Sequence, residues 1–477
     1  MPHKFTFVLL FVTGLSFAQL SVRNNAYIFV NDQVVFVEND INLNEATSTI
    51  YLRNEAQLIQ GSGTETAAVK NSGIGELSVY QDGNVGAHEY NYWCSPVGSK
   101  TASTTNNPFG ITLLHDIDPF DITGTLATTY VHNSNYNGTS SPLNIEPYWI
   151  WKLIAQSGYF DWIHVQAATT INPGEGFTMK GTAGTSANNP GDNQNYDFRG
   201  KPNTGTIEVA VATRELSLVG NPYPSAIDAH AYIWDNDNRN TILPQLEFWE
   251  QDPNVNSHIL VNYSGGYATY TIDEFSHVRS YTPATFSTYD AAGNLIGGGS
   301  GSPSGKEPQR YIPIGQGFMV TGVANGVVRA KNAHRVYQKE SGANSEFFKN
   351  PNTKEKTKTE KTANGFYKVP SDFKRFRLNI DFNNTHTRQL LENFHARATL
   401  GYDPGLEGKM NTDNILASDA YFTNNEDNDL YVIQALPFDA SLKIPLTIKL
   451  AQNMPVRIRI ADIQNFDSNQ PIYIHDK

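Results

Sequence analysis

The sequence predicts an all-β protein built from several modules in series, and three observations carry that expectation. Short apolar bursts recur at close spacing between residues 27 and 80, a glycine-rich loop occurs twice in the middle of the chain, and strands of clean period two occupy its end. Bursts this short cannot be helices, which need about 10 residues or more, but they suit strands. Composition agrees. Tyr 24, Phe 25, Gly 37 and Pro 24 stand among many Asn, Thr and Ser, and aromatic residues favour a pleated surface whereas Gly, Asn and Pro favour turns.

The first element is "MPHKFTFVLLFVTGLSFAQ", with a basic start at His3 and Lys4, an apolar run from Phe5 to Phe17, and small residues before Gln19. It reads as a secretory signal peptide over 1–18, cleaved near Ala18, because the run is shorter than the roughly 20 apolar residues a spanning helix requires. Residues 19–89 follow with "YIFV", "VVFV", "INL", "IYL", "AQLIQ" and "ELSVY". Strands so short and closely spaced suit the stacked rungs of a small β-solenoid or an edge-to-edge sheet, and the ends of a solenoid need capping.

Residues 90–215 and 216–348 read as two divergent β-sandwich-like copies of one unit. The first runs from "YNYWCSPVG" through "EPYWIWKL" and "SGYFDWIHV" to "INPGEGFTMKG"; the second runs from "LSLVGNPYP" through "LEFWEQD" and "SGGYATYTI" to "IPIGQGFMVTG". Gly174, Gly176, Phe177 and Gly181 recur as Gly315, Gly317, Phe318 and Gly322. A phosphate-cradling loop needs a helix after it, whereas Phe177-Thr178-Met179 and Phe318-Met319-Val320 read as strand. The glycines therefore predict a tight turn or bulge that sends each Phe into a core.

Residues 349–365, "KNPNTKEKTKTEKTANG", hold almost no apolar side chain and read as a polar linker. In the last unit, 366–477, "RFRLNIDF" places Phe376, Leu378, Ile380 and Phe382 on one face and Arg375, Arg377, Asn379 and Asp381 on the other; "PLTIKL" and "VRIRI" alternate likewise. This pattern predicts a C-terminal β-sandwich with a polar outer face. "QPIYIHDK" reads as the start of one more strand, so the reading frame is expected to continue past Lys477 and complete the domain.

Together, "NYWCSPVG", the "LVGNPYPSAID" segment with the paired glycine loops, and "RFRLNIDFNNTHTRQLLENFHARATLGYDPGLEG" resemble large secreted proteins exported by the type IX secretion system of Gram-negative bacteria. The likeness extends over nearly all of the mature chain. It implies β-domains, passage across the outer membrane with the secretion machinery as partner, a surface-attached or released product, and usually a C-terminal sorting domain. A sorting domain is expected beyond Lys477, and the resemblance supplies no catalytic residues.

Charge and motifs narrow the function. A net charge of −12 repels a phosphate backbone and excludes general nucleic-acid binding. The 12 His are dispersed, and neither a His-Glu-x-x-His helix nor a Gly-x-Ser-x-Gly elbow is present. Cys94, the single cysteine, has aromatic neighbours and reads as a buried inert thiol. "WDNDNRN" places Asp235 and Asp237 where alternate oxygen donors could wrap calcium, although the glycine and closing Glu of a calcium loop are missing. Trp149, Trp151 and Trp162 crowd one part of the first copy, which predicts either core packing or stacking against a sugar. The expectation is a secreted or cell-surface β-protein with an adhesion or surface-interaction role and no catalytic site; the alternative is a carbohydrate-binding or polysaccharide-processing protein whose partner is a surface polysaccharide.

Overall fold

The computed structural model describes residues 20–61, 71–83, 85–100, 105–166, 170–183, 194–299, 307–340, 345, 361–411, 415–424 and 427–475. The signal-peptide reading and residues 349–360 of the linker lie outside these. The protein is all-β, with one α-helix, Ala229–Ile233, among the described residues. No helix among them is long and apolar enough to cross a membrane.

The N-terminal bursts form parallel rungs. Tyr27–Asn31, Thr49–Arg53 and Glu76–Asp82 stack in register on one face, Leu20–Val22, Ile41–Leu43 and Ser72–Gly73 on a second, and Val34–Val37 with Gln57–Gln60 on a third. Val30, Leu52 and Val79 line the interior with Ile41, Leu43 and Leu58. Asn24, Asn25, Asp32 and Asn54 turn corners with positive φ, the left-handed conformation that short amide and acid side chains tolerate best. Asn195–Pro202 pairs antiparallel with the last rung and so caps that end of the stack, while Tyr27, Phe29 and Phe36 of the first rung stay exposed.

The two copies share one strand plan. In the first, Tyr90–Cys94 pairs with Gly176–Lys180, placing Cys94 opposite Gly176 and Trp93 opposite Phe177. In the second, Leu216–Gly220 pairs with Gly317–Thr321, placing Gly220 opposite Gly317 and Val219 opposite Phe318. Phe177 and Phe318 are fully buried in separate cores, and Gly174 and Gly315 both take positive φ before their strands. A further pair precedes each: Glu76–Asp82 with Asn195–Pro202, and Ile207–Val211 with Gly326–Ala330. The strand plan therefore crosses the boundaries drawn at 89/90 and 215/216, because the last solenoid rung doubles as the first strand of copy one.

The copies meet across a pseudo-two-fold axis. Trp93 bridges to Gln316 of the other copy, and the equivalent Val219 bridges back to Glu175. A Cβ added to Gly176 would lie 2.7 Å from the Leu218 side chain and 2.8 Å from the Val219 carbonyl oxygen; one on Gly317 would lie 2.8–2.9 Å from the Tyr92–Trp93 backbone. The equivalent positions Cys94 and Gly220 face each other, and a Cβ on Gly220 would collide with Cys94 Cβ and the Gln316 carbonyl oxygen. The space at the axis holds one side chain, not two. This is why the chain carries the loop twice: each copy's glycines let its strand pass against the other's.

The last unit is a seven-stranded sheet that includes Lys374–Phe382, His386–Phe394, Tyr431–Leu436 and Val456–Gln464. Ile380, Phe382 and Leu390 enter its core. Its polar face is not open to solvent as the alternation predicts. Arg375 and Arg377 are buried and donate to the backbone of Arg279 and Tyr281 in copy two, to Ser280 Oγ, and to Gln389 and Asn393. Neighbouring carbonyl and amide oxygens accept from guanidiniums whose positions period two alone assigns to the surface, with Arg377 Nε left without a partner among the described residues. "QPIYIHDK" forms no strand over its described residues, 470–475.

Gly220→Ala is expected to destabilise the fold by about 1–3 kcal/mol through overpacking, and Cys94→Gly in the same chain should recover part of that loss. Urea unfolding of the two single variants and the double variant measures the coupling; strictly additive effects would contradict the shared space at the axis.

Candidate functional site

A cavity of about 610 Å³ opens where the two copies meet. Its walls come from both. The first strand of copy one, Tyr90–Cys94, contributes Tyr90 and Tyr92, and the following segment contributes Tyr148, Trp149, Trp151, Tyr159, Phe160 and Trp162; copy two contributes Trp249, Tyr263, Tyr267 and Tyr289. Leu153, Leu216 and Met319 line the same space and are buried.

Local sequence sets these positions. Pro147–Trp149 forms a single 3-10 turn capped by Glu146, whose carboxylate accepts from the Tyr148 amide. Trp151 then pairs opposite Thr178 and His164, and its indole stacks on the His164 ring at 4.3 Å. Tyr159–Asp161 makes a second short turn after Gly158, and the Tyr159 ring lies against Gly293 of copy two. Tyr92 and Trp249 have parallel planes with centroids 6.2 Å apart, and the Tyr92 and Tyr267 hydroxyls are 2.8 Å apart.

Trp149, Trp151 and Trp162 all line this cavity, as their crowding suggests, but they are not equivalent. Trp151 and Trp162 are half-buried. Trp149 is buried and donates its indole N–H to the Tyr136 carbonyl. Its face carries Lys180 Nζ at 3.8 Å from the ring centroid and stacks on His258 at 5.0 Å. Trp149 is therefore part of an internal polar cluster and does not present an open platform.

That cluster carries the most perturbed groups near the cavity. Lys180 stands opposite Tyr90 across the strand pair, is buried, and bonds Tyr263 Oη and, at 3.1 Å, His258 Nδ1. His258 Nε2 lies 2.6 Å from Asn137 Oδ1; that oxygen only accepts, so Nε2 carries the proton and Nδ1 accepts from Lys180. Burial, opposed weakly by the charge of Glu89, pushes Lys180 down to about 6. Burial, then the Lys180 and His88 charges, push His258 down to about 4. The Trp149 face opposes the Lys180 shift by about 0.5–2 kcal/mol of cation–π attraction, less than an ammonium loses on leaving water. Burial also raises the phenols of Tyr90, Tyr92 and Tyr267, keeping them protonated donors.

Asp235 and Asp237 are paired with side chains of the protein itself. Lys331 Nζ reaches Asp235 at 2.8 Å and Asp237 at 2.6 Å, and His334 Nε2 lies 3.1 Å from Asp235. Burial works against ionisation of Asp235, yet hydrogen bonds from His334 and Lys331 hold its carboxyl well below the usual range. An internal ammonium supplies the positive charge that a metal would bring. Asp427 and Asp429 are treated the same way by Lys409. Among the described residues no group of three or more His, Cys, Asp or Glu is placed to hold a metal ion. Cys94 is fully buried, and burial pushes its thiol far up, which suits an inert side chain.

A family model matches residues 11–477, almost the whole chain. The chain belongs to that family, a domain of unknown function, DUF8693. No curated protein and no solved structure matches it. Within this DUF8693 chain the sequence missed Lys180, His258, Tyr92, Tyr263 and Tyr267 as parts of one site. The available signal was a lysine inside "GFTMKG", on a strand where Thr178 and Lys180 share a face opposite the core residues Phe177 and Met179.

Because the Lys180 pKa falls on folding, the unfolded chain holds an extra proton between about pH 6 and about pH 10.4. Stability is then expected to rise with pH across that window by up to about 1.4 kcal/mol per pH unit. Lys180→Met should remove this slope and leave the protein more stable at pH 7. Denaturant midpoints at pH 6, 8 and 10 check it; an unchanged slope in the variant would show that Lys180 is charged in the fold.

Proposed function

We propose that this protein is an exported binding protein that acts at or beyond the outer cell surface in adhesion or surface interaction, with the aromatic cavity as its ligand site. The cavity is the observation that carries the reading. Its volume falls within the roughly 300–1,000 Å³ of ligand pockets, and it lies at the junction of two structural units, a common place for them. The signal-peptide pattern and the resemblance to type IX cargo support export, the latter by a type IX-like route. The cavity lining contains no carboxylate, thiol or serine, so the side chains that commonly serve as nucleophile or carboxylate acid and base are not gathered there.

The carbohydrate-binding reading is supported by the half-buried indoles of Trp151 and Trp162 in the cavity wall. A polysaccharide-processing activity would need in addition a pair of facing carboxylates.

Mature protein applied to cells and coated surfaces is expected to be retained above an unrelated acidic control, with Trp162→Ala weakening retention about tenfold while its circular dichroism is unchanged. Retention that is indifferent to Trp162 would place the interaction elsewhere on the surface. Absence of retention on every surface would reject the adhesion role, and a glycan array bound selectively by the parent but not by Trp151→Ala would favour the carbohydrate reading.

A further inference from the structure

We propose that the cavity takes an uncharged ligand built on flat apolar rings, rather than a sugar or an ion. The inference deepens the ligand-site reading and rests on it. Of the residues that line the cavity, twelve are Tyr, Trp or Phe, and none is Asp, Glu, Lys, Arg, Asn or Gln. A ligand is recognised by what the wall can return for the hydration it loses, so the lining chemistry selects the class.

An anion entering this space would shed water and meet only the negative faces of the rings, at a cost of several kcal/mol, and a cation would recover about 0.5–2 kcal/mol from those faces, less than it loses on leaving water. Lys180, which touches three of the lining side chains, is not itself a lining residue. It is held behind the wall by Trp149, Tyr263 and His258, and burial favours its neutral form.

A sugar ring presents several hydroxyls, each of which costs about 1–3 kcal/mol if buried without a partner. Most polar atoms deep in the lining already have partners within the protein, and the buried Trp249 indole N–H, which has none among the described residues, offers a single donor where a sugar ring presents several hydroxyls. Thr178 Oγ1 donates to the Trp149 carbonyl and accepts from the Trp151 amide. Both His258 nitrogens are occupied by Lys180 and Asn137, the Tyr92 and Tyr267 hydroxyls bond each other, and the Trp151 indole N–H donates to the Tyr148 carbonyl. Planar amides and carboxylates, which could grip neighbouring hydroxyls in pairs, are missing from the wall.

Flat apolar rings have the opposite balance. They lose little on leaving water and gain about 25 cal/mol for each Å² buried, with about 0.5–1.5 kcal/mol more for each well-placed aromatic pair. The parallel planes of Tyr92 and Trp249 offer faces for such stacking, and Tyr159, seated on Gly293, ties the two walls together near the exposed Phe160.

A matched pair of probes tests this: N-phenyl-1-naphthylamine, which is uncharged, and 8-anilinonaphthalene-1-sulfonate, which carries the same rings with a sulfonate. Both are titrated by fluorescence into the intact protein, and cellohexaose and laminarihexaose are added as competitors. The neutral probe is expected to bind saturably at one site, at least tenfold more tightly than the sulfonate, and millimolar oligosaccharide should not displace it. Trp151→Ala and the cavity-filling Leu295→Trp, each verified as folded by circular dichroism, should both weaken it at least tenfold. Equal or tighter binding of the sulfonate, or displacement by oligosaccharide, would overturn the neutral-ring class while leaving the ligand site in place if the same variants abolish that binding. Binding that neither variant alters would also overturn the proposal. No binding of any probe or sugar would overturn both the proposal and the ligand-site reading beneath it.

Discussion

Two strand pairs from different copies of one unit cross so closely that backbone lies on backbone, and the rest of the molecule is arranged around that crossing. Gly176 fits beneath Val219 and Gly317 beneath Trp93, because a methyl group at either glycine would reach the opposing chain at less than 3 Å. On the axis itself the equivalent residues Cys94 and Gly220 share space for one side chain. Duplication gave two copies, but close packing at a two-fold axis forces them to differ there, since interiors tolerate little excess volume.

The cavity and the Lys180–His258 cluster behind it lie beside that axis. Because the copies cross and do not merely abut, the segment after Tyr90–Cys94 and the strands Gln245–Gln251 and Gly265–Ile272 face one another and enclose the cavity. The outer modules depend on the same frame. The solenoid hands its last rung, Glu76–Asp82, to copy one as a working strand, and the C-terminal sheet is fastened to copy two by the buried guanidiniums of Arg375 and Arg377. Burial pushes Arg375 down to about 9, with Arg377 adding repulsion, so this junction holds two costly groups whose hydrogen bonds offset part of the burial penalty.

Local physics made much of this legible beforehand. Short bursts with asparagine corners fit rungs, and the repeated glycines and phenylalanines predict a turn feeding a buried aromatic, as Phe177 and Phe318 show. The three tryptophans pointed to the region of the cavity because they are close in sequence. What stayed hidden was set by partners distant in the chain. Lys331 neutralises Asp235 from 96 residues away, Lys180 claims the face of Trp149 from across a sheet, and Arg375 finds Ser280 in another module. Period two reports which face a side chain occupies, not whether that face meets water or another domain. Nor could the reciprocity of the two glycine loops be read from either alone.

Through their crossing the two copies form one cooperative body. Native-state hydrogen exchange tests it most directly, through amides whose bonds run from one copy to the other: Cys94 to the Gly315 carbonyl, Leu218 to the Leu153 carbonyl, and the reciprocal pair of Gln156 and Leu216. These amides are expected to open together, with one free energy equal to that of global unfolding. If the Cys94 amide instead exchanges through a separate, lower-energy opening while Leu216 and Leu218 remain protected, the copies are independent domains in contact and the shared frame is wrong.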